Sequence, residues 1–332
     1  AGLTNSAVQT GALVKVAQML TISTNSWLYP VSHGTNGGQV ALVLGGMNLM
    51  SGGGIDASGL GYGLPDNTYA TAKGYGPGGG WYSDSKGVGG GYGGQGGNAQ
   101  STYGQTYGSS NVAPFSCGSG GGAWSSGGIG GSGGGLVFID AESGDVTING
   151  AIKADGGPAG NHQCGAGAGG GIYIVCQNFA GSGRIQAEGG TKSSGLTGVG
   201  GGGGGRIAIF RPPATDTFTG VGEYSVLPGD GVAYTGAAGT IYLQSGGPFL
   251  EVICSGATDI TDWSAALNGE VVSTNGPAPE AWIYWGSADG GMNQSAWAHG
   301  VDLGTKTGTF AAQVTGLLAT NIYYYRCWAS NT

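Results

Sequence analysis

The chain has 332 residues, of which 79 are glycine and 11 proline, and only 8% are charged, against about 25% in ordinary domains. So much glycine is the mark of low-complexity disorder, but 16 Tyr, 8 Trp, a mean hydropathy near zero and compact β-branched runs argue against a disordered chain. A net charge of −8 with ten scattered bases excludes a phosphate-binding surface, and no apolar run reaches the roughly 18 residues of a membrane helix.

From the amino end, Ala1 follows no basic and apolar leader, which is read as a mature exported chain. Residues 1–18 form an N-terminal strand segment: "SAVQTGALVKVAQ" at 6–18 alternates polar with apolar and has no obvious partner of its own. Next, 19–248 carry a repeat. The phrases "GGIDASGL" (53–60), "GAIKADGG" (150–157) and "GRIQAEGG" (183–190) share Ile, then Ala two residues on, then Gly. Upstream stand the runs "QVALVL", "GLVFID" and "GIYIVC", and "RIAIF" at 206–210 continues the series. From the first apolar residue of each run to the phrase Ile the gaps are 15 (Val40 to Ile55), 16 (Leu136 to Ile152) and 13 (Ile172 to Ile185).

Short strands at a near-constant spacing are the signature of stacked coils, so the expected fold is all-β, a parallel β-solenoid. Ile55, Ile152 and Ile185 should stack and point inward, with Ala57, Ala154 and Ala187 at the next inward site. Val137, Tyr173 and Ile207 are expected to be equivalent. The glycine-rich inserts, roughly 59–135, 156–171 and 189–205, all follow the phrase. They should leave one corner together and pack as extended polyglycine strands bonded backbone to backbone. Their aromatics, among them Tyr62, Trp81, Tyr92, Tyr103, Tyr107 and Trp124, supply area for burial.

After 248 the glycine floods stop. "ATDITDWSAALNGEVV", "EAWIYWGS" and "GLLATNIYYYRCWASN" resemble strands A and B, strand C and the E-to-F corner of a fibronectin type III module. Leu317, Tyr323, Tyr325 and Arg326 match that corner, although Ala319-Thr320 replaces its usual Pro-Gly. The resemblance implies a β-sandwich over 249–332 lacking its last strand, with an open edge beside Tyr323 to Trp328. The whole chain also resembles glycine-rich cell-surface proteins of environmental bacteria, on "GGGGGGRIAI", "GGGIYI" and "DITDWSAALNG"; this implies a secreted protein of the cell surface or extracellular matrix.

Chemistry is sparse. Gly130-x-Ser132-x-Gly134 fits a nucleophile elbow without its strand, helix or partners. His33, His162 and His299 lie far apart without ligand spacing, and "SADGGMN" at 287–293 is short of carboxylates for calcium. Asp155 and Glu188 occupy equivalent corners and, stacked about 5 Å apart, offer a retaining glycosidase-type pair, a calcium site or solvated corner residues. Five cysteines without a C-x-x-C pair exclude a zinc cage; Cys117 and Cys164, both in glycine-rich loops, are the disulfide candidates. No cofactor or metal site is expected.

The expectation is therefore a non-enzymatic, self-assembling structural protein. Its strand at Val8, Leu13, Val14 and Val16 would insert beside Tyr323, Tyr325 and Cys327 of a neighbouring copy and propagate a filament. The alternative is a carbohydrate-binding or polysaccharide-cleaving solenoid, with extracellular polysaccharide as partner.

Overall fold

A computed structural model describes residues 11–63, 73–83, 86–98, 102–109, 116–123, 128–160, 163–192, 199–211, 216–219, 224–231, 234–245, 250–274, 277–291 and 293–330. The protein is all-β. Among the described residues its only helical element is one short turn, Gln294–Ala296, and no helix is long and apolar enough to cross a membrane. The chain divides into two units, Ala1–Leu243 and Gln244–Thr332. The second therefore begins before the expected 249.

In the first unit the chain alternates between two sheets. It runs through β1 (Ala12–Ile22), β2 (Trp27–Leu28), β3 (Val40–Leu49), β4 (Gly54–Asp56), the small hairpin β5 (Tyr82–Ser83) and β6 (Lys86–Gly87), β7 (Leu136–Ile148), β8 (Ala151–Lys153), β9 (Gly171–Gly181), β10 (Arg184–Gln186), β11 (Arg206–Arg211), β12 (Asp216–Phe218), β13 (Tyr224–Ser225) and β14 (Thr240–Ser245). The long strands form one sheet in the order β1-β3-β7-β9-β11-β14, with β12 also on β9; the short ones form another, β2-β4-β8-β10-β13. Pairing is parallel from β1 to β11 and along the whole second sheet.

Register explains the repeated phrase. Leu28, Ile55, Ile152, Ile185 and Tyr224 are consecutive partners up the second sheet. Ile55, Ile152 and Ile185, like Ala57, Ala154 and Ala187, are fully buried in a core shared with Leu42, Ile139, Ile174 and Ile209 of the facing sheet. Period-two alternation thus turns Ile and Ala of each phrase to the same side. In the first sheet one expectation is corrected: Val137 pairs with Ile172 and Ile172 with Ile207, while Tyr173 pairs with Phe138 and Ala208. A slip of one residue would put Tyr173 into the core and Ile172 outside. Instead Tyr173 lies on the opposite face, in a ladder of rings with Phe138 (4.5 Å), Phe210 (5.4 Å) and, beyond Phe210, Tyr242 (5.8 Å).

The N-terminal expectation is corrected too. β1 runs through the boundary drawn at 18 without a break, and Leu13, Val14 and Val16 pair with Ala41, Leu42 and Leu44 of β3. The segment has a partner because its apolar residues serve the same core, with Val16 and Leu20 packed against it and Ile22 buried within it. Val8 lies outside the described residues.

The glycine segments make a third kind of structure. In 165–170 the six amides donate in turn to the carbonyls of Gly122, Gly200, Gly157, Ser119, Gly203 and Ala154, at 2.6–3.0 Å. In 200–205 they donate to Gly87, Tyr234, Gly190, Gly90, Ala237 and Ala187, at 2.8–2.9 Å. Each third amide returns to the same neighbouring segment, three residues away along it, forward or backward with the neighbour's direction. A pleated strand alternates between two neighbours; a period of three is that of a polyproline II helix, which has no internal hydrogen bonds and presents its backbone in three directions. The inserts therefore bond backbone to backbone as a bundle. A Cβ on Gly202 would lie 1.8 Å from the Gly167 carbonyl oxygen, and one on Gly167 would lie 1.9 Å from that of Ser132. Neither glycine has a positive φ, so it is space that excludes a side chain there.

Two outcomes follow. Gly202→Ala should lower stability by about 2–3 kcal/mol or prevent folding, whereas Gly63→Ala, whose Cβ meets nothing nearer than 3.8 Å, should stay within about 0.5 kcal/mol of the parent; chemical denaturation of both variants checks this. Amides of 165–170 and 200–205 should also exchange with solvent as slowly as those of β9, against the fast exchange expected of a glycine linker.

The second unit packs two antiparallel three-stranded sheets. β15 (Glu251–Cys254), β16 (Ser264–Ser273) and β19 (Gly308–Thr315) form one, in that order; β18 (His299–Thr305), β17 (Glu280–Gly286) and β20 (Tyr324–Ser330) form the other. Alternation on β19 buries Phe310, Ala312 and Val314 against Ala265, Leu267, Ala281 and Ile283.

Candidate functional site

The acidic corner forms as its spacing predicts, but its carboxylates are occupied. Asp155 accepts the Glu188 amide (2.8 Å) and the Gln186 side-chain amide, while its own amide reaches Ser58 Oγ at 3.2 Å. Glu188 accepts Arg184 at 2.8 Å and the Ser225 hydroxyl. Ser58, Asp155 and Glu188 thus stitch successive layers of the stack together. Burial pushes the Asp155 carboxyl above its ordinary 3.8, further than its hydrogen bonds pull it down. Its protonated form is therefore favoured by folding: that stabilisation is complete below pH 3.8 and is lost as pH rises through the folded value. Asp155→Asn, which cannot ionise, should gain on the parent as pH rises from 3 to 7 in thermal melts; a parent that gains on the variant over that range would contradict the assignment.

The sequence gives no warning of Arg206. Its guanidinium is buried and, among the described residues, donates to the carbonyls of Tyr107 (2.8 Å), Tyr92 (3.4 Å) and Gly108 (3.4 Å) and to Thr240 Oγ1 (2.9 Å), over the ring of Tyr92 at 5.4 Å. It ties the first insert to the first sheet. Around it burial raises the Tyr92 and Tyr107 phenols and pushes the Cys117 thiol up to about 11. The aromatics of this insert divide. Tyr92 is fully buried, Trp81 stacks on Tyr103 at 5.3 Å, and Trp124 lies outside the described residues.

The expected Cys117–Cys164 disulfide is not formed. Both are buried in different surroundings: Cys117 donates to the Gly37 carbonyl at 3.6 Å, and Cys164 packs with Ala159, Ala166 and Val199. Proximity in composition did not translate into proximity in the bundle, because neighbours there are set by the three-fold hydrogen bonding.

The remaining expected residues gather at β20. Among the described residues β20 ends its sheet, pairing only with β17, and β15 ends the other sheet. Between these two edges runs a groove of about 460 Å³, lined by Val252 and Cys254 of β15, by Asp289 and by residues 324–329. Tyr325 and Cys327 turn toward the core between the sheets, whereas Tyr324 is exposed. Tyr323 precedes the strand: its hydroxyl accepts the Leu318 amide at 3.1 Å and its ring lies 6.0 Å from that of Trp285. Asp289, in the stretch weighed for calcium, instead binds Arg326 through two nitrogens at 2.9 and 3.1 Å. That contact and the Gly291 amide hold its carboxyl below the usual aspartate range. His299 stacks on Trp285 at 4.2 Å.

β1 is the counterpart of β20 in the first unit. It ends its sheet, and Val14 and Met19 are about half exposed along it, at 43% and 50%. Among the described residues, Leu13, Val14 and Val16 therefore lie on one sheet-edge strand and Tyr325 and Cys327 on another, with Tyr323 just before it. No protein-family model, curated protein or solved structure matches the chain.

Proposed function

We propose that the chain is an extracellular structural protein, a glycine-rich β-solenoid joined to a fibronectin type III-like module, that assembles head to tail through its two open strand edges. The unpaired side of β20 and its groove carry this reading. An exposed, aromatic strand edge with one charge, Arg326, is a template for another strand unless blunted.

The solenoid reading is supported by the alternation of the chain between two parallel sheets over one core. The fibronectin-type reading is supported by three strands facing three, and by the Tyr323 hydroxyl on the backbone at Leu318. Location at a cell surface or in a matrix rests on the resemblance to glycine-rich bacterial surface proteins. A catalytic reading loses its main argument, since Asp155 and Glu188 are taken up by layer-to-layer contacts.

The mode of assembly differs from strand insertion. Leu13, Val14 and Val16 belong to a strand already paired with β3, and removing it would expose core at Val16, Leu20 and Ile22. β1 keeps its place and offers its outer side, so that β20 of one copy docks edge to edge on β1 of the next. Such a contact joins two different surfaces and grows into an open filament.

Complementary blocked variants test it. Lysine on an exposed edge is disruptive to pairing, so Val14→Lys and Tyr324→Lys should each abolish filaments seen by electron microscopy. Mixed together, the two variants should form dimers in sedimentation and nothing larger, because each retains the edge that the other lacks. Filaments from either variant alone, or a mixture that stays monomeric, would refute edge docking.

A further inference from the structure

The second unit contains a pair of cysteines that its sequence does not bring together. Cys254 ends β15 and Cys327 lies in the middle of β20, 73 residues further on and in the opposite sheet. Three independent contacts converge on them. Across β16, the register partner of Cys254 is Gly269. A Cβ placed on Gly269 would lie 2.7 Å from Cys327 Sγ, so the missing side chain makes the space that the Cys327 thiol fills. Cys327 Sγ also donates to the carbonyl of Asn268, the residue before Gly269, at 3.7 Å. One residue beyond Cys254, the carbonyl of Ser255 accepts the hydroxyl of Tyr325, which draws β20 against the end of β15. Between these clamps the two thiols are near enough for each to shift the other's acidity.

We infer that Cys254 and Cys327 form a disulfide on exposure to a small-molecule disulfide oxidant, and that this bond staples the two sheets of the second unit beside the open edge of β20. Because Cys327 Sγ fills the space beside Gly269, the register partner of Cys254, side-chain rotation brings the two sulfurs to the roughly 2.05 Å of a disulfide. The two thiols are also unequal in the way the reaction needs. Cys254 is exposed, and the neighbouring Cys327 thiol, with the nearby Arg326 charge, holds its thiol below the ordinary value. Cys327 is half-buried, and the Cys254 thiol together with burial raises its own. Cys254 is therefore the attacking thiolate and Cys327 the resolving thiol.

The Cys254 thiolate attacks one sulfur of the external disulfide, giving a mixed disulfide and releasing one thiol. Cys327 then loses its proton and attacks the Cys254 sulfur, and the second external thiol leaves. The protein dithiol gives up two electrons, and one external disulfide becomes two thiols. Cys117, Cys164 and Cys176 are buried in the first unit and take no part. The inference is independent of assembly, since it concerns one copy of the chain.

The full chain is treated with glutathione disulfide, its remaining thiols are alkylated, and the digest is mapped by mass spectrometry without reduction. The expected product is a peptide pair joined through Cys254 and Cys327. Cys327→Ser should stop at a stable glutathione adduct on Cys254, and Cys254→Ser should take up none at Cys327. Closing a loop of this length should raise the melting temperature of the second unit by about 10 °C. A glutathione adduct on Cys254 as the end product in the wild-type chain, linkage of Cys254 to any other cysteine, or full alkylation of both thiols after oxidant would overturn the assignment.

Discussion

The first unit depends on backbone approaching backbone at a distance that leaves no room for a Cβ. Where a pleated sheet separates strands by their side-chain-bearing faces, the glycine segments offer amides and carbonyls in three directions, and each neighbour lies within 3.0 Å of the amides of 165–170. A side chain at Gly167, Gly202 or Gly205 would meet a carbonyl oxygen first. The cost is conformational: glycine loses more freedom on ordering than any other residue. A dense network of backbone hydrogen bonds, each worth about 0.5–1.5 kcal/mol net, offsets it.

That lattice and the two parallel sheets require each other. Each glycine segment begins where a phrase ends, and on its way back to the first sheet it bonds to the phrase: Gly135 to Ala57, Gly170 to Ala154, Gly205 to Ala187. The sheets set the spacing at which successive segments enter, and the lattice holds the corner from which they leave. Ala166 and Ala168 sit within it, and polar side chains tie it to the rest of the unit. Arg206 joins it to the outer face of β11, and Asp155 with Glu188 binds the layers at the corner. The polar groups of Asp155 and Glu188 are engaged in hydrogen bonds between layers.

In the second unit glycine serves another end. Gly291, Gly304, Gly308 and Gly316 have positive φ and open space around the missing side chain, as turn residues do. Gly269, Gly290 and Gly300 instead leave room for neighbouring side chains: Phe310 and the Cys327 thiol, Trp297, and Tyr284. This unit is held by an ordinary alternating core and by cross-strand pairs of side chains, and its edges stay open where β15 and β20 face each other across the groove. The first unit guards its interior by density, whereas the second has a groove at the edge where its thiols lie.

The repeated phrase was legible in the sequence because Ile and Ala at a spacing of two define which side is buried, and three copies define what stacks on what. The ordered packing of the glycine inserts was legible from their shared position after each phrase. Phase was not legible in "GIYIVC": all six residues are buried, so polarity does not distinguish the two faces, and only pairing with β7 and β11 turns Ile172 inward and Tyr173 out. Nor was the partner of β1, since alternation specifies a strand and not its neighbour. Within the bundle every glycine is chemically the same, so which amide meets which carbonyl is decided by the three-dimensional lattice, and with it the separation of Cys117 from Cys164. Cys254 and Cys327 meet for the converse reason: residues 73 apart are brought together by two sheets closing on one core, a contact that no local pattern encodes.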